Sequence, residues 1–127
     1  MKVFIYYGNI VSTGSKATLF LEELIKQFKS HSTFKQVIVR TPENMDLRFM
    51  TSWNDVLGDD TVGDREIIKK EMLESDLIII ISPVFLHNVS AYTKLFLDNF
   101  ASWAHTVCGK INLHTIAAQK YITPQAA

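Results

Sequence analysis

Asp76-Leu77-Ile78-Ile79-Ile80-Ile81-Ser82-Pro83-Val84-Phe85-Leu86-His87-Asn88 is the stretch on which the fold turns. Its apolar run is short, mostly β-branched and stopped by a proline, the pattern of a strand buried on both faces that ends in a loop. Helical spacing follows from Val89 to Ala104. A buried strand that passes through a small polar loop into a helix is how α/β proteins build a ligand crevice at the carboxyl edge of a sheet.

Working outward, Lys2 to Tyr7 is almost wholly β-branched and aromatic and reads as a central strand. Gly8 to Ser15 has turn chemistry in Gly8, Asn9, Ser12, Thr13, Gly14 and Ser15. From Lys16 to Lys29, Ala17, Phe20, Leu21, Leu24, Ile25 and Phe28 form one apolar stripe, so this segment is a helix. Phe34 to Arg40 supplies a second strand. Thr41 to Gly63 mixes Met45, Leu47, Phe49, Met50, Trp53, Val56 and Leu57 with turn residues and reads as a packed excursion with one irregular helical turn. Asp64 stands where a cap is needed for a helix to Glu74, and a last strand is expected near Lys110 to Ala118.

Strand and helix thus alternate, which selects a parallel sheet with right-handed crossovers and helices on both faces. The expected fold is a flavodoxin-like doubly wound α/β sheet of order 2-1-3-4, in a single domain over residues 1–127. In that order the chain reverses between the first and third strands, so the loops leaving them frame a crevice. Those loops are Gly8 to Lys16 and Ser82 to Ser90.

Composition narrows the partners. The 127 residues are 47% hydrophobic, with eight Phe to build a core, and the 13 basic residues balance the 13 acidic ones without clustering. A nucleic-acid partner is therefore not expected. The run Leu77 to Ile81 is far shorter than the ~20 residues that span a bilayer, and the amino terminus lacks signal-peptide features. A single cysteine, Cys108, makes neither an internal disulfide nor a cluster. The economical location is the cytoplasm, with no membrane partner.

Ser82-Pro83-Val84-Phe85-Leu86-His87-Asn88-Val89-Ser90, with Lys94 and Asp98 after it, resembles the Ser-Pro-Val-Tyr, Asn-x-Ser, Lys and Asp pattern of the NADPH-dependent FMN reductase and NAD(P)H:quinone reductase family of flavodoxin-like flavoproteins. The similarity covers roughly Lys2 to Ala118. It implies an FMN cofactor, NADPH or NADH as co-substrate, and electron delivery to free flavin, a quinone or a similar small-molecule acceptor. It also implies self-association as a homodimer or higher oligomer.

Residue by residue, the resemblance assigns the FMN phosphate to the first loop, through Gly8, Asn9, Ser12, Thr13, Gly14, Ser15 and Lys16. The family's Pro and Arg there are replaced, leaving the first-helix amides, the hydroxyls and the Lys16 cation to hold the anion. Ser82, Pro83, Val84, Phe85, Leu86, His87 and Asn88 would face the flavin ring with backbone groups and an apolar wall. Phe85 and Leu86 are equally readable as core. No catalytic acid, base or metal ligand is assigned, because the cofactor carries the chemistry. The family's fifth strand and closing helix have no counterpart here, which points to a shortened chain or to a partner covering the fourth strand.

Other residues have plain structural readings. Lys94 and Asp98 are spaced as a surface ion pair, Trp53 and Trp103 as packing groups, and Cys108 as a small hydrophobe. His31, His105 and His114 have no metal-site spacing. Three functions stay open from the residues: an FMN-dependent NAD(P)H oxidoreductase, a flavin-binding or electron-carrier module, and a truncated remnant that binds nothing.

Overall fold

Val3, Phe4, Ile5, Tyr6 and Tyr7 are each fully buried, because the strand they form is covered on both of its faces. The computed structural model describes residues 1–10, 14–49, 63–100 and 112–115, the last four for backbone alone. In chain order the elements are β1 (Lys2–Tyr7), α1 (Lys16–Ser30), β2 (Gln36–Arg40), a 3-10 turn (Pro42–Asn44), α2 (Arg65–Glu74), β3 (Leu77–Ile81), β4 (Val84–Phe85), β5 (Asn88–Val89), α3 (Ala91–Asn99) and β6 (Asn112–Thr115). The main sheet is parallel throughout, in the order β2-β1-β3-β6. This is the doubly wound order expected, with β6 as the fourth strand of that sheet.

Period-two alternation along β1 sends Phe4 and Tyr6 to one face and Val3, Ile5 and Tyr7 to the other. The first face packs with Ile68 and Met72 of α2, Ile78 of β3, and Phe96 and Phe100 at α3. The second packs with Leu21 of α1 and with Ile79 and Ile81. Helices therefore cover both faces. Tyr6 stacks on Phe96 with ring centroids 4.1 Å apart and planes 9° from parallel, so α3 is held against β1 by aromatic area as well as by backbone. Truncating Phe96 to Ala would cost about 3–5 kcal/mol.

The ends of the strands are tied by polar groups. The amide of Lys2 donates to Asp76 Oδ2 at 2.7 Å, and the amide of Asp76 donates to the Lys2 carbonyl at 2.8 Å. That exchange sets the start of β3 beside the start of β1. On the outer flank, Arg40 of β2 donates through Nε to Glu71 Oε2 at 2.9 Å and through its second arm to Glu71 Oε1. The fork ties β2 to α2 and, with burial opposing it, raises the Arg40 pKa further above its ordinary value.

Three expectations need correction. The segment after β3 is not all loop, since β4 and β5 pair antiparallel as a small hairpin. The following helix begins at Ala91 instead of Val89, because Ser90 caps it. Asp64 occupies the position before α2 but makes no side-chain cap bond; its carboxylate instead accepts from the Asp46 amide at 2.7 Å. Of the two readings open for Phe85 and Leu86, core or site, core is excluded, since they are 58% and 98% exposed. Trp53, Trp103, His105 and Cys108 lie outside the described residues, as does the side chain of His114.

Candidate functional site at the carboxyl edge of the sheet

Tyr7 pairs with Ile81 in the parallel register, so β1 and β3 end level with one another and release their loops at the same rim. The Gly8 amide continues the ladder one step, donating to the Ile81 carbonyl at 2.8 Å. Beyond that point the chain segments diverge: residue 8 leads toward α1, and residue 82 toward the hairpin.

Two serines close the junction. Ser82 Oγ accepts from the Ser90 amide at 3.0 Å and donates to the Pro83 carbonyl at 2.9 Å. Ser90 Oγ, in a residue only 2% exposed, donates to the Gly8 carbonyl at 2.6 Å and accepts from the Thr93 amide at 3.2 Å as the N-cap of α3. Thr93 Oγ1 lies 2.9 Å from Ser90 Oγ. Since the single Ser90 proton is used on Gly8, the Thr93 hydroxyl is the donor in that contact. Gly8 is a glycine because α3 comes this close: a Cβ there would lie 1.9 Å from Thr93 Oγ1.

On the α1 side, Ser15 is the N-cap, accepting from the Thr18 amide at 3.2 Å and donating to Thr18 Oγ1 at 2.7 Å. Its cap role is thus built, and the amides of Lys16 and Ala17 have no intrahelical acceptor, as first-turn amides must. Gly14 has φ +80°, and nothing lies within 4 Å of where its Cβ would be. Among the described residues, nothing crowds the α1 mouth on that side. Lys16 is exposed beside it. Asn9 folds its Oδ1 back onto the Ile10 amide at 2.8 Å, while Ser12 and Thr13 lie outside the described residues.

The hairpin carries the remaining predicted residues. Val84 faces Val89 and Phe85 faces Asn88, leaving Leu86 and His87 as the two-residue turn, with φ of 50° and 64°. Positive φ at both central positions is the type I′ pattern that normally selects Asn and Gly. Here the turn is made from bulky residues, and their strain is held by the anchored strands below. Asn88 Oδ1 accepts from the Val89 amide at 2.8 Å, bracing its own strand. Phe85, Leu86, His87 and Asn88 are all exposed around this tip.

The structure therefore brings the bases of both predicted loops together at one rim. It also gives Ser90, the end of the second crevice loop, a specific role, and adds two residues the sequence reading did not single out, Tyr92 and Thr93. Tyr92 enters through its backbone, whose carbonyl accepts from the Tyr6 hydroxyl at 2.7 Å; burial, then the neighbouring Tyr92 ring, pushes the Tyr6 phenol well above its ordinary pKa. A serine directly ahead of an apolar helical run was the available signal for Ser90 as a cap. Lys94 and Asp98 form the exposed ion pair expected of them. Among the described residues, no group of three or more His, Cys, Asp and Glu is placed to hold a metal ion, and no helix is long and apolar enough to cross a membrane.

Comparison with known proteins agrees with this architecture. The family model described as NADPH-dependent FMN reductase matches residues 1–116. Among solved structures, RosB with bound 8-demethyl-8-formylriboflavin-5'-phosphate superposes with a TM-score of 0.58 at 11% identity, over 80% of this chain and 42% of that one. The apo form of the NADH:FMN oxidoreductase EMOB superposes with a TM-score of 0.51 at 13% identity, over 76% of this chain and 49% of that one. The chain thus spans less than half the length of either structure, and their likeness is one of fold. No curated protein sequence matches it.

Proposed function

The chain belongs to the NADPH-dependent FMN reductase family, and on that premise we propose that it is a flavin reductase, passing electrons from NADPH or NADH through FMN to free flavin, a quinone or a similar small acceptor. FMN with a nicotinamide co-substrate is the cofactor set that goes with the family. The single observation that supports the reading most is the hydrogen-bonded convergence of the two loops at the sheet's carboxyl edge, where doubly wound folds bind their ligands.

The residues present fit the group. The mouth of α1, with two first-turn amides that have no intrahelical acceptor, the Ser15 hydroxyl and the Lys16 cation, suits a phosphate. The exposed ring of Phe85 and the backbone of Pro83 to Asn88 suit an aromatic ring with a polar edge. When bound, FMN accepts a hydride from the nicotinamide and yields two electrons to the acceptor. The protein's part is to bind, to orient and to keep the ring plane accessible from the hairpin side.

We further propose a cytoplasmic homodimer, in which the second copy covers the exposed Leu86 at the hairpin tip and leaves Phe85 to the flavin. The test of the activity is anaerobic addition of NADPH to the FMN-loaded protein. Loss of the yellow flavin colour supports the reductase. Retention of colour by protein that holds FMN would make the chain an electron carrier instead.

A further inference from the structure

The hydroxyl of Ser90 joins segments 82 residues apart in the chain. Its proton goes to the Gly8 carbonyl, the last backbone group before the loop that runs to α1, and its lone pairs receive the amide and the hydroxyl of Thr93. Through the Ser90 amide it is also held by Ser82, at the base of the hairpin. Ser90 and Thr93 are both buried, which shields the bonds among Ser90, Thr93 and the Gly8 carbonyl from solvent. Of the three hydrogen bonds of the Ser90 hydroxyl, the one to Gly8 ties the start of the first loop to α3, and the two from Thr93 hold the hydroxyl in place within the first turn of that helix.

We propose that Ser90 is a positioning residue that sets the span between the phosphate end and the ring end of the flavin site, and that it thereby makes the two ends bind FMN as one ligand. The inference rests on the flavin reading above. A ligand that grips two anchors gains from their fixed separation, because the second contact is intramolecular once the first has formed. If the separation is loosened, each half of the ligand still finds its own anchor. Only the joined ligand loses the advantage.

That distinction makes the role measurable apart from a general loss of stability. FMN carries both halves, and riboflavin lacks the phosphate. Affinities for both would be measured by flavin fluorescence titration in the full chain, for the native protein and for Ser90→Ala, Ser90→Thr and Thr93→Val. In Ser90→Ala the expected result is an FMN affinity lowered about tenfold, the effect of losing the bond across to Gly8 and stranding its carbonyl, with riboflavin changed less than about threefold; the loss of the two Thr93 bonds falls within α3 and weighs on both flavins alike. Ser90→Thr, which keeps the hydroxyl, should restore FMN binding. Thr93→Val, nearly the same shape without the donor that holds the Ser90 hydroxyl in place toward Gly8, should show the same selective loss in smaller degree and serves if Ser90→Ala does not fold. Equal weakening of FMN and riboflavin, or unchanged FMN affinity, would overturn the positioning role while leaving the flavin reading intact. Native protein that binds neither flavin would overturn both.

Discussion

Gly8 and Thr93 touch so closely that residue 8 has no room for a side chain: a Cβ would lie 1.9 Å from Thr93 Oγ1, 3.1 Å from its Cβ and 3.2 Å from Tyr6 Cε1. The end of β1 and the first turn of α3 are therefore packed backbone against side chain. Gly8→Ala should force them apart and destabilise the fold by about 1–3 kcal/mol. Thr93→Ala in the same chain removes the nearest atom, and the double variant should recover part of the loss. Chemical denaturation of the two single variants and the double checks this; strictly additive costs would show that the two residues do not press on one another.

Tyr6 offers a pH-dependent test. Its buried hydroxyl donates to the Tyr92 carbonyl, and burial raises its pKa above the ordinary tyrosine value of 10.0. The folded state then keeps a proton that the unfolded state releases, so this contribution is full below about pH 10 and falls as pH rises beyond it. Tyr6→Phe should cost about 1 kcal/mol at neutral pH, and the gap between native protein and variant should narrow above pH 10. A gap that stays constant through that range would contradict the burial argument.

Much of this was legible from residue patterns alone, and what was missed has a physical reason. The runs Lys2 to Tyr7 and Leu77 to Ile81 are buried on both faces, so their β-branched and aromatic content announces central strands. The hairpin was not announced, because its turn uses Leu86 and His87 where the geometry would favour Asn and Gly. Ser90 is visible in the sequence as the end of the family-like motif, but what its hydroxyl binds is not. Its role depends on Gly8, 82 positions away, and periodicity carries no information at that distance.

The hairpin turn yields a stabilising prediction. Replacing Leu86-His87 by Asn-Gly matches residues to the positive φ they must adopt, and should raise stability by about 1 kcal/mol. Thermal or chemical unfolding measures it. A loss of stability would mean that Leu86 or His87 makes contacts worth more than the strain it relieves.

Arg40 and Glu71 hold β2 to α2 through a two-armed, half-buried fork. Arg40→Lys keeps the charge but loses the fork, and should cost roughly 1–2 kcal/mol. Equilibrium unfolding of the variant checks this. An unchanged midpoint would show that solvent screening had already cancelled the pair.

The claim on which the account depends is that one flavin occupies the rim between the α1 mouth and the hairpin. Titrating the purified chain with FMN while following flavin fluorescence tests it directly. The account predicts saturation at one FMN per chain, with affinity lowered about tenfold by Lys16→Ala, which removes the cation beside the α1 amides. Absence of saturable binding, or binding indifferent to Lys16, would contradict it.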